Sequence, residues 1–207
     1  MPTFDAEKLL RQDLLHFAPY TPAAVTIGDM ERVIKLDANE NPFGPSPRAL
    51  AALADTRVWN RYATQDELRP AIAEYAGVPE EQIVVGNGAD EVIDLVERIV
   101  LEPGDCIVDC PPSFEMYGKY ATINGARVLE VQRRDPAPVV GTGFTIAIDE
   151  IERVVAREHP KMVLVANPNN PDGSLMTSEQ TERLLALPVL VVLDEAYSEF
   201  SGGSLAR

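Results

Sequence analysis

The sequence is poor in cysteine, in histidine and in positive charge. It has two cysteines and two histidines in 207 residues, and its 18 Lys and Arg are outnumbered by 33 Asp and Glu. The net charge of −15 argues against a nucleic-acid partner, because phosphate backbones bind clustered Lys and Arg. The sequence has no apolar run that could span a membrane, and the N-terminus MPTFDAEKLLRQ lacks the apolar core of a signal peptide. These features predict a cytoplasmic protein with no membrane partner.

The two cysteines, Cys106 and Cys110, lie four residues apart in GDCIVDCPP, a predicted strand that runs into a loop. An extended chain would separate their Cα atoms by about 13 Å, roughly twice the reach of a disulfide. The spacing also differs from the two-residue gap of zinc knuckles, and no histidine is near in the sequence. We therefore predict two buried thiols and no metal site.

Short apolar runs alternate with amphipathic segments along most of the chain. The predicted strands are QIVVGNG, DCIVDC, ARVLEVQ, KMVLVAN and VLVVLD. The predicted helices are a short one in AEKLLRQDLLHF, one at about 47–54, and those in DELRPAIAEYAGV, ADEVIDLVERIVL, PSFEMYGKYATING, IDEIERVVAREH and TSEQTERLLAL, the last with a Thr or Ser N-cap. Apolar strands that alternate with helices predict an α/β fold, a three-layer sandwich with a mostly parallel sheet covered on both faces.

Ligands of open parallel sheets bind beyond the carboxyl ends of the strands, so the residues just after each predicted strand are the candidate site. Gly86-Asn87-Gly88 is followed by a predicted helix that begins near Ala89 and Asp90. Backbone amides beside glycines, together with a helix N-terminus, can bind a phosphate group. The same stretch could equally be a tight turn in which Asp90 only caps the helix.

The next two strands are also followed by residues with two interpretations. Phe114 and Tyr117 follow DCIVDC and two prolines, and they are either core aromatics at helical spacing or a platform for a flat ligand. The loop NPNNPDG follows KMVLVA, and it is either an ordinary turn or a loop that places Asn170 as a neutral donor in the same crevice.

The last predicted strand, VLVVLD, ends in Asp194, and Tyr197 follows three residues later. A carboxylate at the end of a central buried strand is costly unless it is paired. Water or a helix N-cap could pair with it, but a protonated ring nitrogen is a better partner, and Tyr197 could donate to a hydroxyl of the same ring. A phosphate cradle, an aromatic platform, a neutral donor and this acid together describe pyridoxal phosphate (PLP) better than other common cofactors.

Six ordered segments resemble the fold-type-I PLP-dependent aminotransferases, and most of all the histidinol-phosphate aminotransferase branch of histidine biosynthesis. The segments are LDANENPFGPSP, RYAT, GNGADEVID, CPPSFEMY, NPNNPDG and VVLDEAYSEF. The resemblance covers nearly the whole chain. It implies an N-terminal arm and entrance segment over residues 1–40, and an incomplete PLP-binding large domain over residues 41–207 without a C-terminal small domain.

The resemblance also implies the roles of the candidate residues. Gly88, Ala89 and Asp90 would hold the cofactor phosphate, largely through backbone amides. Phe114 would stack on the pyridine ring, where the family usually has tyrosine or tryptophan.

Three further side chains would contact the same ring. Asn170 and Tyr197 would bind the ring hydroxyl, and Asp194 would pair with the ring nitrogen. Asp194 and Tyr197 are the implied catalytic residues. Tyr62 in RYAT would reach the phosphate of the neighbouring subunit, which implies a homodimer.

Two departures from the family stand out. Asp172 occupies the position of the usual threonine in NPTG and adds negative charge near the site. The family's covalent lysine is expected in a Ser-Lys context after DEAY, but the four lysines, at positions 8, 35, 119 and 161, have no such context. We therefore expect the chain to be a truncated form that is inactive alone.

The implied reaction of the family member is transamination of histidinol phosphate with 2-oxoglutarate, giving imidazole acetol phosphate and glutamate. Its partners would be a small-molecule amino donor and a 2-oxo acid. Two alternatives stay open on the sequence: an aromatic amino-acid aminotransferase or threonine-phosphate decarboxylase of the same fold, and a non-catalytic remnant that binds a cofactor or a partner.

Overall fold

The computed structural model describes residues 11, 14–18, 34, 36–54, 60, 62, 64–135 and 143–205. The chain divides into two compact units, Met1–Thr64 and Gln65–Arg207. The boundary predicted near residue 40 stays a prediction. The helix predicted in AEKLLRQDLLHF falls mostly outside the described residues.

The first unit contains helix α1, which spans Pro47–Leu53 and confirms the helix predicted at about 47–54. Its start is fixed by two neighbouring residues. The Ala49 N–H donates to Ser46 Oγ at 3.2 Å, and Pro47 occupies the first helical position, where no amide donor is needed.

The second unit alternates helices and strands, as the sequence predicts. Its helices and strands in chain order are α2 Leu68–Ala76, α3 Ala89–Val100, β1 Cys106–Asp109, α4 Met116–Ile123, β2 Arg127–Glu130, α5 Ile148–Glu158, β3 Met162–Ala166, α6 Ser178–Leu185 and β4 Leu190–Asp194. Helix α6 begins at a reciprocal cap: Thr177 Oγ1 accepts from the Gln180 N–H at 3.2 Å, and Gln180 Oε1 accepts from the Thr177 N–H at 2.9 Å. The predicted Thr N-cap of this helix is therefore confirmed.

The four strands form one parallel sheet in the order β2-β1-β3-β4. The predicted α/β class and parallel sheet are therefore confirmed. Two details of the prediction are wrong. QIVV is not a strand: no described strand pairs with it, and Val84 is 74% exposed. The strand that ends in Asp194 is not central, because β4 lies at one edge of the sheet that the described residues form.

Helices cover both faces of the sheet. Successive strand residues point to opposite faces, so Val163 and Val165 pack with α5 and α6 around Ile151 and Leu184. On the other face, Met162 and its neighbours on the strands pack with α3 and α4. The result is the predicted three-layer arrangement.

Cys106 and Cys110 are buried free thiols, as predicted. Cys106 Sγ lies 3.7 Å from the carbonyl oxygen of Glu158 at the end of α5, to which it donates. Within the described ranges, we find no helix with the length and apolar character that a membrane span requires.

Candidate functional site

A pocket opens in the second unit where β3 and β4 end and α3 begins. Its lining residues are Asn87, Gly88, Ala89, Asp90, Phe114, Ala166, Pro168, Asn170, Asp194, Ala196 and Tyr197. Seven of the eight predicted site residues are among them, and their individual roles stay predictions. The eighth, Tyr62, belongs to the first unit and is fully exposed.

One end of the pocket is the N-terminus of α3. Gly88 is the N-cap with φ of 83°, a conformation that favours glycine, and no heavy atom lies within 4 Å of where a Cβ would stand. The Asn87 N–H and Nδ2 both donate to Glu91 Oε2, at 2.5 and 2.9 Å. The first amides of α3 have no acceptor within the helix and carry its partial positive charge. This end of the pocket therefore suits an anion.

Asp194 lies at the end of β4, half-buried. Its Oδ2 accepts from the Tyr117 hydroxyl at 2.7 Å, and its Oδ1 accepts from the Ala196 N–H at 3.0 Å. Two protein donors therefore already pair with this carboxylate, in addition to the partners that the sequence left open. A carboxylate has about four lone-pair positions, so capacity for a donor from the pocket remains.

The bond from Tyr117 to Asp194 is a contact that the sequence did not indicate. Tyr117 is fully buried in α4, as its helical spacing from Phe114 allows, so the interpretation as a core aromatic is correct. Burial and the neighbouring Asp194 raise the pKa of the Tyr117 hydroxyl, which therefore stays protonated and donates. Its partner is 77 residues away in the sequence, and no local pattern indicates that bond.

Phe114 follows β1 and lines the pocket. Its ring meets the Tyr117 ring edge to face, with centroids 5.7 Å apart and planes at 80°. This contact fixes the position of the Phe114 ring, because edge-to-face aromatic pairs are favourable. One aromatic residue of the pair thus lines the pocket, and the other supports both Phe114 and Asp194.

The loop after β3 uses its three asparagines differently. The Asn167 N–H donates to the Asp194 carbonyl at 2.9 Å, and Asn167 Oδ1 accepts from the Met176 N–H at 2.9 Å. Asn169 Nδ2 donates to the Pro112 carbonyl at 3.1 Å. Asn167 and Asn169 therefore hold the loop in place, whereas Asn170 lines the pocket.

Comparison with known proteins identifies the family. Residues 31–207 match the family described as aminotransferase class I and II. The chain belongs to this family. The pocket at the carboxyl ends of the strands, lined by the α3 N-terminus and by Asp194, lies within the residues that match this family.

Individual aminotransferases are similar over most of the chain. It is 44% identical to histidinol-phosphate aminotransferase from Roseiflexus castenholzii, covering 95% of this chain and 55% of that protein. It is 43% identical to the chloroplastic histidinol-phosphate aminotransferase of Nicotiana tabacum, over 95% of this chain and 48% of the tobacco protein. The structure of the Sinorhizobium meliloti histidinol-phosphate aminotransferase in complex with pyridoxal-5'-phosphate has a TM-score of 0.69 and 31% identity, covering 78% and 44%. The chain thus spans about half the length of the relatives it matches.

The described residues place no lysine in the pocket. Lys119 lies on α4, with its Nζ 3.5 Å from Glu115 Oε2. Lys161 precedes β3 at the amino end of the sheet, with its Nζ 3.9 Å from Asp105 Oδ2. Within the described residues, this aminotransferase chain therefore brings seven of the eight predicted cofactor contacts together without the predicted covalent lysine.

Proposed function

We propose that the chain is the N-terminal half of a PLP-dependent aminotransferase that transfers the amino group of histidinol phosphate to 2-oxoglutarate. The products would be imidazole acetol phosphate and glutamate. The observation that carries the proposal is the pocket that joins the α3 N-terminus to Asp194, in a chain 44% identical to a histidinol-phosphate aminotransferase.

The residues around the pocket fit PLP in charge and in shape. The α3 N-terminus, with the open space at Gly88, suits the phosphate. Phe114 would lie against the flat ring, while Asn170 and Tyr197 would bind its hydroxyl. Asp194 retains acceptor capacity for the ring nitrogen.

Asp194 would contribute most to the chemistry. Bound PLP supplies an electron-poor ring that stabilises negative charge on the reacting carbon of the amine. The Asp194 carboxylate would hold a proton on the ring nitrogen, which keeps the ring electron-poor. Tyr117 and the Ala196 N–H would hold the carboxylate in position for this task. The lysine that moves the substrate proton is proposed to lie in the other half of the enzyme.

The proposed reaction is tested by assaying the enzyme that contains this chain, completed by the remainder of its reading frame. We expect glutamate to form from histidinol phosphate and 2-oxoglutarate in the presence of PLP. An enzyme that instead prefers aromatic amino acids, or that releases carbon dioxide from a threonine phosphate, would contradict the proposed substrate. An enzyme that binds PLP without any turnover would favour the non-catalytic remnant.

We propose in addition that the active enzyme is a homodimer in which Tyr62 reaches the phosphate in the partner's pocket. Tyr62 is fully exposed, as a residue that acts on a second subunit would be. Replacing Tyr62 by phenylalanine should weaken PLP binding about tenfold, because a hydrogen bond to a charged group is lost. Titration of the apoenzyme with PLP measures this change.

A mixed dimer shows whether Tyr62 contacts PLP in its own subunit or in the partner subunit. When a Tyr62→Phe subunit is paired with an Asp194→Ala subunit, the first subunit's pocket has an intact Asp194 and receives Tyr62 from the partner. One of the two pockets in each mixed dimer should then bind PLP with wild-type affinity. If neither pocket of the mixed dimer binds PLP normally, Tyr62 acts within its own subunit and the proposal is wrong.

We also propose a cytoplasmic location for the enzyme. The acidic composition supports this, although the tobacco relative is named as chloroplastic. Cell fractionation with an antibody to the chain tests it, and recovery in an organelle would contradict it.

A further inference from the structure

Asp172, which replaces the family's usual threonine, accepts hydrogen bonds from three residues around it. Its Oδ1 accepts from Asn169 Nδ2 at 2.6 Å and from Ser174 Oγ at 3.1 Å. Its Oδ2 accepts from the Phe144 N–H at 2.5 Å. Partial burial acts to raise the pKa of Asp172, but these donors lower it below its usual value, so the carboxylate is ionised at neutral pH.

The segment Gly143-Phe144, which donates to Asp172, leaves space for the carboxylate. A Cβ on Gly143 would stand 2.1 Å from Asp172 Oδ2 and 2.8 Å from Ser174 Cβ, so any side chain at position 143 would push the carboxylate away. Glycine at position 143 lets the Phe144 N–H approach the acid. The bond thus ties the loop after β3 to a segment 28 residues earlier in the chain.

Asn169 extends this connection to the loop after β1. Its side chain is 2% exposed, and its Nδ2 donates both to Asp172 and to the Pro112 carbonyl. Asn169 is also fixed through its backbone by bonds of 2.8 Å with Ser174 and Gly173. Asn170, the next residue, lines the pocket.

A buried cation lies beneath the same edge of the sheet. Arg133 is 7% exposed, and its guanidinium donates to the carbonyls of Cys110 at 3.0 Å and Ala166 at 3.2 Å. Burial lowers the pKa of Arg133, and Asp172 is among the negative groups that act in the opposite direction. Asp172 therefore also compensates charge where β1 and β3 end.

We propose that Asp172 is a positioning residue that holds Asn170 at the cofactor. It does so through its bond to Asn169, the neighbour of Asn170, and through the bond that ties this loop to the Phe144 N–H. This inference rests on the proposed function, because it assumes that PLP occupies the pocket. Asp172 itself does not line the pocket. The two carboxylate oxygens of Asp172 accept from three donors. A threonine at this position would have only one hydroxyl oxygen to accept from the same donors.

The experiment measures the PLP affinity of the completed apoenzyme by titration, with four test variants and one control variant. Asp172→Asn, which turns one acceptor into a donor that faces other donors, should weaken binding about tenfold, and Asp172→Thr about threefold. Asn170→Ala should weaken binding about tenfold. The double variant, Asn170→Ala with Asp172→Asn, should bind no more weakly than Asn170→Ala alone, because both substitutions act on the same contact between Asn170 and the cofactor. Glu182→Gln, which removes a charge from an exposed position of α6, is the control and should leave affinity unchanged.

A second readout needs no cofactor. Hydrogen exchange of the Phe144 amide in the apoenzyme should be faster in Asp172→Asn and Asp172→Thr than in the parent and in the control, because the charged acceptor is replaced by a single neutral oxygen for which the other donors compete. If Asp172→Asn does not fold, Asp172→Thr carries the test, since it keeps one acceptor.

The outcomes separate the inference from the proposed function. A parent enzyme that fails to bind PLP contradicts the proposed function. A parent that binds PLP, with unchanged affinity in the Asp172 variants, overturns only the inference. Affinity losses that add fully in the double variant also overturn it, because Asp172 would then act independently of Asn170.

Discussion

Replacing Asp194 by alanine in the completed enzyme is expected to weaken PLP binding about a hundredfold and to lower the transamination rate further. The substitution removes the proposed partner of the ring nitrogen, and because Asp194 is only half-buried the loss should lie near the lower end of the roughly 3–5 kcal/mol that truncating one member of a buried charged pair costs. It also leaves the Tyr117 hydroxyl, 2.7 Å from Asp194 Oδ2, without its acceptor. The loss is measured by titrating the apoenzyme with PLP and monitoring the visible absorbance of the cofactor.

Two further variants separate the charge of Asp194 from its position. Asp194→Asn keeps the size of the side chain and removes the charge, so we expect most of the loss to remain. Tyr117→Phe removes only the supporting hydroxyl and should cost about fivefold in affinity, because one hydrogen bond to a charged group is lost. An Asp194→Ala enzyme that binds PLP as tightly as the parent would remove the basis of the proposed function.

The α/β class could be predicted because strand and helix patterns alternate along the chain. Each strand of the sheet corresponds to an apolar run of the sequence. QIVV has the same composition but forms no strand, since pairing depends on a neighbour that a local pattern does not specify. The edge position of β4 was missed for the same reason: strand order follows from tertiary contacts.

The candidate site could be predicted where residues directly follow strands. Asn170 and Asp194 meet at one pocket because the parallel strands β3 and β4 end at the same edge of the sheet, and Gly88 lines the same pocket although QIVV forms no strand. The bonds from Tyr117 to Asp194 and from Phe144 to Asp172 were not predicted, because each joins residues far apart in the sequence. Such bonds depend on how helices and loops pack over the sheet.

Glu97 is a buried acid outside the pocket, and the largest expected effect on stability concerns it. It lies on α3 one turn after the buried Ile93, so helix periodicity directs it toward the core. Glu97 is fully buried, and neither carboxylate oxygen has a hydrogen-bond partner among the described residues. A carboxyl group in this environment is stable only when it is protonated.

The pKa of Glu97 fits this environment. Burial raises the pKa from 4.5 to about 8, and the negative charges of Asp94 and Asp109 add to the rise. In the unfolded chain the group ionises near its ordinary pKa of 4.5. Between these two values unfolding releases a proton, so the folded state loses stability as pH rises. Glu97 is therefore fully compatible with the fold below pH 4.5 and increasingly destabilising up to about pH 8.

Replacing Glu97 by leucine should stabilise the apoenzyme, and the gain should grow with pH. The slope should approach about 1.4 kcal/mol per pH unit between the two pKa values, because one proton is involved. Denaturant unfolding of the parent and of Glu97→Leu, measured from pH 5 to pH 9, gives the difference in unfolding free energy. Glu182→Leu, the same substitution at an exposed position of α6, should change it by less than about 0.5 kcal/mol at any pH. A difference for Glu97→Leu that stays constant across this range would show that Glu97 is ionised in the folded protein, which contradicts the raised pKa.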